Sequence, residues 1–576
     1  MMKKLLLSAL AAFVCLSSVA NDVHTLHVLV TGDVHGSWFP RSYVDTSSLR
    51  TSLMSVKAEV DRIRDSVGRE NVLLIDAGDC LQGNNASYYF NFEASGKSHL
   101  FPLLASYMGY DAIVVGNHDI EAGHPVYDRV GRELAFHHIP FLGGNAIKPD
   151  GEPYFPEYAV FNRAGMKILV LGYTNANIKS WVSEAQWKGM EFQPIKERIR
   201  NSMERIVKKE KPQVVIVATH TGTGEGDGKQ LENEGLDIFN SMEGVDLLIC
   251  AHDHRPFVKN SGESSLLNTG SKAGNLGHAV LTVETSGKKV VSREVAARVT
   301  RLDKKKYDRR MEDRFRKDFK DVRNFTLRPV GRLEMELRTS DAYVGMCDYV
   351  NLLHSVQLGM PEAKLSLAAP LTFNGKVKAG QVLFNDMFTI YPFENQLFIV
   401  NLTGEEIVKV LEYTYDNWIE NSGEHILKIS NKPDSRTGSP RWSFVGRPYN
   451  FDSIAGLVYE VDVTKPYGSR ISVKSLADGT AFDMNAMYPV AMTSYRANGG
   501  GGSLPKGAGI TAENLQSRIV ARYPEIRELI CQYFLKHGVV TKELVNDRSV
   551  LGNWEFVPTD VAEPGLKKDM ELLFGD

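Results

Sequence analysis

The sequence predicts an α/β protein. A layered domain over residues 21–300 is followed by a charged linker helix over residues 301–330 and a mixed α/β domain over residues 331–576. Three observations predict this. The chain has 576 residues, more than one hydrophobic core accommodates. From Thr25 to about Thr300, short apolar runs alternate with helical stretches, the pattern of an α/β layered domain. Past about Val330 the texture changes to a less regular mixture of strands and helices.

The runs Leu26–Val30, Val72–Ile75, Ala112–Val115, Val214–Val217 and Val245–Cys250 are short and rich in Val, Ile and Leu, as strands buried on both faces are. Ser47–Val67 reads as a helix, with Leu49, Leu53, Val56, Val60 and Ile63 on one face, and Lys196–Lys209 as another that ends before Pro212. Leu302–Asn324 carries Lys304, Lys305 and Lys306 but interleaves Asp308, Glu312, Asp313 and Asp318, which makes it a solvated linker helix rather than a nucleic-acid tract. Beyond it, Asp341–His354 and Thr403–Asn417 read as helices. Phe384–Tyr391, Gln396–Leu402 and Leu457–Val463 read as strands. Gly499–Gly502 is either a plain surface turn or a loop that lets the backbone close over a ligand.

At the amino end, Lys3 and Lys4 precede the apolar stretch Leu5–Leu16 and the small-residue site Ser18-Val19-Ala20, a signal peptide over residues 1–20. The expected mature protein starts near Asn21 and is exported, periplasmic or extracellular. A lipoprotein anchored at Cys15 is the alternative. No later segment has the length of a transmembrane span. A net charge of −3 with 24% charged residues gives no reason to expect a nucleic-acid polymer or an anionic membrane as partner, and no protein partner is implied. Cys80, Cys250, Cys347 and Cys531 are too few for a disulfide framework. Cys80 follows Asp79 and Cys250 precedes His252 by two, so either could approach a metal; the favoured reading of both is small buried residues beside a site.

Each of the five apolar runs ends in a polar motif: Gly32-Asp33-Val34-His35, Gly78-Asp79, Gly116-Asn117-His118-Asp119, Thr219-His220 and Ala251-His252-Asp253-His254. Ligand groups in open α/β sheets gather at the carboxyl ends of strands. The pattern therefore brings two Asp, one Asn and four His to one rim, with His118 beside them. One such motif arises readily by chance; five in order do not. Mixed N/O ligation suits Zn, Mn, Fe or Co. A carboxylate can bridge two divalent ions about 3.5–4 Å apart, which lower the pKa of a shared water and clamp phosphoryl oxygens.

These motifs resemble those of the calcineurin-like metallophosphoesterases. The resemblance implies that Asp33, His35 and His254 hold one metal and Asn117, His220 and His252 the other, with Asp79 bridging. It implies that His118 acts on the scissile phosphate as general acid or transition-state stabiliser. Two positions depart from the family pattern. Ala251 stands where Gly is usual, and Glu121 stands three residues after His118 where related nucleotidases place an orienting Asp.

The resemblance extends through the second half to the exported 5′-nucleotidase family, whose C-terminal domain holds the nucleoside. Leu365–Pro370, Phe388–Leu397 and Asn401–Glu405 match its landmarks. Its Arg-bearing glycine loop is replaced by Ala368-Ala369-Pro370 and Asn374-Gly375-Lys376, as in the 2′,3′-cyclic-nucleotide 2′-phosphodiesterase/3′-nucleotidase branch, and Tyr449–Gly456 and Ser494–Ala497 also resemble that branch. A nucleobase needs flat walls. By resemblance Tyr449 or Phe451 supplies one and an aromatic near Tyr495 the other, with Asp452 and Arg496 bonding base or ribose; each is equally a core or loop-anchoring residue. The expected function is a secreted two-metal hydrolase of 2′,3′-cyclic nucleotides, 3′-nucleotides or both. The alternatives are 5′-nucleotide or nucleotide-sugar hydrolysis on the same fold, and a non-catalytic nucleotide-binding protein.

Overall fold

Two six-stranded sheets stacked face to face form the first domain. A computed structural model describes residues 21–182, 184–393, 395–420, 425–433 and 440–575; the expected signal peptide and Cys15 lie outside them. One sheet runs, edge to edge, Lys289–Arg301, Asn275–Ser286, Asp22–Thr31, Val72–Asp76, Ala112–Val114, Phe141–Leu142; the other runs Pro256–Asn260, Ser265–Thr269, Leu247–Cys250, Val214–Thr219, Met166–Tyr173, Tyr158–Arg163. Their central strands are parallel: His27–Thr31 on Val72–Asp76, and Ile168–Tyr173 on Val214–Thr219.

Strand alternation explains why the apolar runs lack polar interruptions. Leu26, Val28 and Val30 enter the core between the sheets with Ile75, Val170 and Ile216. Leu29 and Leu74 point outward beneath the helices Leu53–Val67, Leu100–Met108 and His124–Phe136. Leu171, Val215 and Val217 do the same on the far sheet. Each such side chain contributes about 1.5–3 kcal/mol on burial, so four layers are stabilised through two sheets.

Four sequence expectations need correction. The helix expected over Asp341–His354 is a 3-10 turn, Thr339–Tyr343, followed by a helix over Asp348–Leu358. The helix expected over Ser47–Val67 begins at Leu53. Phe384–Tyr391 is a helix, Phe384–Ile390, not a strand: Phe384, Met387 and Ile390 are buried at helical spacing, and the Asp386 carboxylate accepts from the Leu383 amide at 2.8 Å at its start. The linker is two helices, Arg309–Arg314 and Arg316–Thr326, docked rather than solvated. Met311, Phe315 and Val322 join the first-domain core, and Glu312 accepts from Arg41 at 2.6 Å. Its charges occupy the outer face of an amphipathic pair.

In the second domain a five-stranded sheet runs Ser453–Ala455, Leu365–Ala368, Met487–Thr493, Gln396–Thr403, Ile519–Glu525. Phe398 and Val400 face the helix Gly404–Trp418, while Leu397 and Ile399 face Asp348–Leu358 and Ile526–His537. The domains meet through aromatics: Tyr88 of the first lies 5.4 Å from Phe384 and under the Arg527 guanidinium at 5.6 Å, ring centroids as reference. No helix among the described residues is long and apolar enough to cross a membrane.

Candidate metal centre and substrate cleft

Every polar motif sits just past the carboxyl end of a strand, so both sheets deliver side chains to one rim. The backbone there is tightly constrained. Asp33, His35, Asp79, His252 and His254 have φ of +49°, +47°, +61°, +75° and +59°, half of the ten non-glycine residues with positive φ among those described. Such conformations cost about 1–3 kcal/mol each and persist only where the surroundings over-determine them.

The surroundings do so. Asp33 and His35 amides donate to Gly78 and Asp79 carbonyls at 2.9 Å each. The buried Asp119 carboxylate accepts four backbone N–H groups: Asp79 at 3.0 Å, Cys80 and Leu81 at 2.9 Å, and Gly116 at 2.8 Å. A Cβ on Gly116 would stand 2.0 Å from Asp79 Oδ1, so only glycine lets these loops approach. Ala251 is fully buried, and a Cβ added to Gly32 would stand 3.4 Å from its own.

The side chains converge in two groups, Asp33 with His35 and His254, and Asp33 with Asp79 and His220. Asp33 Oδ1 lies 3.9, 3.6 and 3.9 Å from Nε2 of His35, His254 and His220. Asp79 Oδ2 lies 3.1 Å from His220 Nε2 and 3.9 Å from His35 Nε2. Both carboxylates thus reach both groups. Asn117 Oδ1 meets His252 Nδ1 at 2.9 Å, at the edge of the second. Asp79 Oδ2 and His220 Nε2 are buried without a hydrogen bond, and the His35 and His254 Nε2 atoms face each other at 2.9 Å. Buried oxygen and nitrogen atoms crowded together and turned inward suit cations.

Charge states agree. Burial pushes His35 and His252 down to about 3 and lowers His254, so these imidazoles are neutral, the form that ligates. Burial opposes charge on Asp79 too, but His220 and His118 outweigh it and hold the carboxyl well below its usual range. Burial raises Asp33. Against burial, Asp79 and Asp33 carry His220 to about 9, so the two carboxylates favour positive charge at this point.

His118 stands beside this centre with 31% of its side chain exposed, its Nδ1 on Glu121 Oε2 at 2.5 Å. Glu121 reaches the imidazole despite its extra methylene. The His118 amide donates to Asp79 Oδ1 at 2.9 Å. The cysteines are not ligands: Cys80 Sγ donates to Asp76 Oδ1 at 3.1 Å, Cys250 accepts from Thr219 and is pushed up to about 12 by burial, and all four described cysteines are free.

A cavity of about 400 Å³ joins Asn117, His118 and His252 on one side to Phe393, Tyr449 and Tyr495 on the other. Tyr449 and Phe393 rings meet edge to face at 6.0 Å. Phe451, expected as a wall, is fully buried and stacks on Trp418 at 5.5 Å; it is core. Asp452 and Arg496 border the cavity but spend themselves on the loop. Arg496 donates to Asp452 Oδ2 at 2.7 Å, Asn450 Oδ1 at 3.0 Å, the Gly500 carbonyl at 2.9 Å and the Tyr449 carbonyl at 2.7 Å. The glycine run packs here: a Cβ on Gly500 would lie 2.4 Å from the Tyr495 ring. Phe393, Trp181 and Glu232 line the cavity without having been singled out in the sequence. Phe393 sits inside the landmark Phe388–Leu397, whereas Trp181 and Glu232 carry no motif.

Paired sheets with a histidine–carboxylate rim, facing a second domain across an aromatic cleft, define a metal-dependent phosphoric ester hydrolase. Residues 26–256 match the model of the calcineurin-like phosphoesterases and residues 329–506 that of the 5′-nucleotidase C-terminal domain. The chain belongs to the family that joins these two domains. The trifunctional nucleotide phosphoesterase protein YfkN of Bacillus subtilis is 23% identical over 96% of this chain, which spans 40% of that protein's length. The 2′,3′-cyclic-nucleotide 2′-phosphodiesterase/3′-nucleotidase of Salmonella typhimurium is 25% identical over 86% of this chain and 84% of its own. A solved putative 5′-nucleotidase from Staphylococcus aureus superposes with a TM-score of 0.74 at 18% identity, covering 92% of this chain and 99% of that one; this is a likeness of fold.

Proposed function

We propose that the protein is an exported hydrolase of 2′,3′-cyclic nucleotides and 3′-nucleotides that releases nucleoside and phosphate. The observation that carries the reading is the single cavity bordered by Asn117, His118 and His252 at one edge and Phe393, Tyr449 and Tyr495 at the other. A phosphate and a nucleobase fit its two ends. The Salmonella relative's name supports the cyclic and 3′ branch, as does Ala368-Ala369-Pro370 in place of an arginine-bearing loop. Export rests on Lys3, Lys4 and the Leu5–Leu16 stretch before Ala20.

Asp33, His35 and His254 would hold one divalent ion, and Asp79, Asn117, His220 and His252 the second, with a carboxylate shared. When bound, such ions activate water and neutralise phosphoryl oxygens. The remaining work falls to the chain. Glu121 holds His118 Nδ1–H, leaving Nε2 to give a proton to the ribose oxygen as its bond to phosphorus breaks and the water oxygen bonds to phosphorus. Tyr449 holds the base by stacking, about 1–3 kcal/mol per base, with Phe393 edge-on to that ring beside it, and Arg496 fixes Tyr449 through its carbonyl.

The test is a panel of 2′,3′-cyclic AMP, 3′-AMP, 5′-AMP and a nucleotide sugar on the metal-loaded protein. The first two are expected to be turned over fastest. A preference for 5′-AMP would overturn the branch while leaving the phosphoesterase chemistry intact, and binding without turnover of any would favour a nucleotide-binding role.

A further inference from the structure

The sugar-and-base half of the cavity has a charge balance that the metal centre does not explain. Glu232 reaches it from the loop that follows His220. Its carbonyl is anchored by three donors: Asn175 Nδ2 at 3.1 Å, Thr221 Oγ1 at 3.0 Å and the Gly222 amide at 3.0 Å. The residue is therefore fixed at the rim beside the second ligand group. Its carboxylate has one weak contact, Asn233 Nδ2 at 3.5 Å, and forms no ion pair with a lysine or arginine among the described residues. It stands near enough to Tyr495 across the cleft to raise that phenol's pKa, behind larger effects of burial, Arg496 and Tyr449.

Arg496 is the one lysine or arginine among the described cavity-lining residues. Its donors are turned to Asp452, Asn450, Gly500 and Tyr449. This half of the cavity therefore presents a carboxylate, aromatic faces and a closed Arg–Asp pair, with no cation free to meet an anion.

We propose that Glu232 is a specificity-determining residue that makes this half of the cavity accept an uncharged nucleoside and reject a substrate bearing a second phosphate. The proposal rests on the nucleotide reading above. A hydroxyl or amino group of the nucleoside can donate to Glu232, a charge-assisted bond. A second phosphate would have to leave water and face the carboxylate between low-dielectric aromatic walls, and like-charge juxtaposition of that kind is strongly unfavourable. Rejection by at least about tenfold in kcat/KM is expected.

The experiment compares adenosine 3′,5′-bisphosphate with whichever adenosine monophosphate, 3′ or 5′, the metal-loaded enzyme hydrolyses. It uses the wild type, Glu232→Gln and Glu232→Lys, with p-nitrophenyl phosphate as a report of folding and metal loading in each preparation. The monophosphate-to-bisphosphate ratio of kcat/KM should be about ten or more in the wild type, fall severalfold in Glu232→Gln and approach or pass below one in Glu232→Lys. A wild-type ratio near one, or a ratio that neither variant moves, overturns the assignment of Glu232 while leaving the nucleotide reading standing. Turnover of p-nitrophenyl phosphate with no nucleotide turned over overturns the nucleotide reading, and the proposal with it.

Discussion

Asp119 touches neither cavity nor ligand atom, yet replacing it by asparagine should weaken metal binding. Its Oδ1 accepts the Cys80 and Leu81 amides and its Oδ2 the Asp79 and Gly116 amides. Asparagine keeps one oxygen and turns an NH2 group toward the other two N–H groups. Two buried donors then lose their partner, at about 1–3 kcal/mol each, so the loss is about 2–6 kcal/mol. That is a large fraction of an ordinary domain's 5–15 kcal/mol. The left-handed backbone at Asp79 stores about 1–3 kcal/mol of strain, and with its clamp gone that residue relaxes and withdraws its carboxylate. Metal affinity should fall roughly 10–100-fold, as for outer partners of metal ligands, and the first domain's Tm by several degrees. Elemental analysis after dialysis against buffered metal, together with a thermal scan, reads both. A variant that keeps wild-type metal content at limiting metal and an unchanged Tm would refute the idea that Asp119 holds Asp79 in its ligating conformation.

The other predictions concern the substrate cleft, the His118–Glu121 pair and the acid limb of stability. Tyr449→Ala should raise KM for a nucleotide by roughly 5–100-fold, the loss of one base stack, with p-nitrophenyl phosphate turnover as the comparison. Phe451→Ala should instead lower stability by about 3–5 kcal/mol, and a selective KM effect from it would return Phe451 to the binding site. Glu121→Gln should lower kcat at constant metal content; unchanged kcat would remove the His118–Glu121 pair from the chemistry. His354 is fully buried between Ser366 and Ser453, and burial pushes it down to about 3. Its folded value lies below the unfolded value near 6.5, so its contribution is present above pH 6.5 and is lost as pH falls toward 3. Between pH 7.5 and pH 5 that loss is about 2 kcal/mol. Urea unfolding of wild type and His354→Gln at both pH values measures it, and an equal pH dependence in the two would refute it.

How much of this was legible in the sequence follows from where the physics is local. A strand buried on both faces must be apolar throughout, so Leu26–Val30 or Val214–Val217 is visible without knowing its neighbours. The polar motif that follows is visible because nothing else requires Asp or His there. The second domain is different. Phe384–Tyr391 is short and aromatic, and that composition hides the helical spacing of Phe384, Met387 and Ile390, which pack with Tyr88 and the Ile526–His537 helix. The linker's charges predict solvation, but Met311, Phe315 and Val322 recur at helical spacing between them and dock it onto the first domain.

Cavity residues follow the same rule. Whether an aromatic faces a cleft or a core is set by the far side of the fold: Phe451 and Tyr449 are two positions apart, and Trp418, distant in sequence, claims the first and leaves the second to the cleft. Glu232 gave no signal because a single carboxylate in a polar loop is unremarkable until three donors pin its backbone at a rim. The chemistry of this protein is thus written in local motifs at strand ends, while its choice of substrate is written in contacts between segments. Relatives on this fold can therefore keep the Asp33–His254 set and still differ in what they hydrolyse, with the changes expected at positions such as 232, 393 and 449.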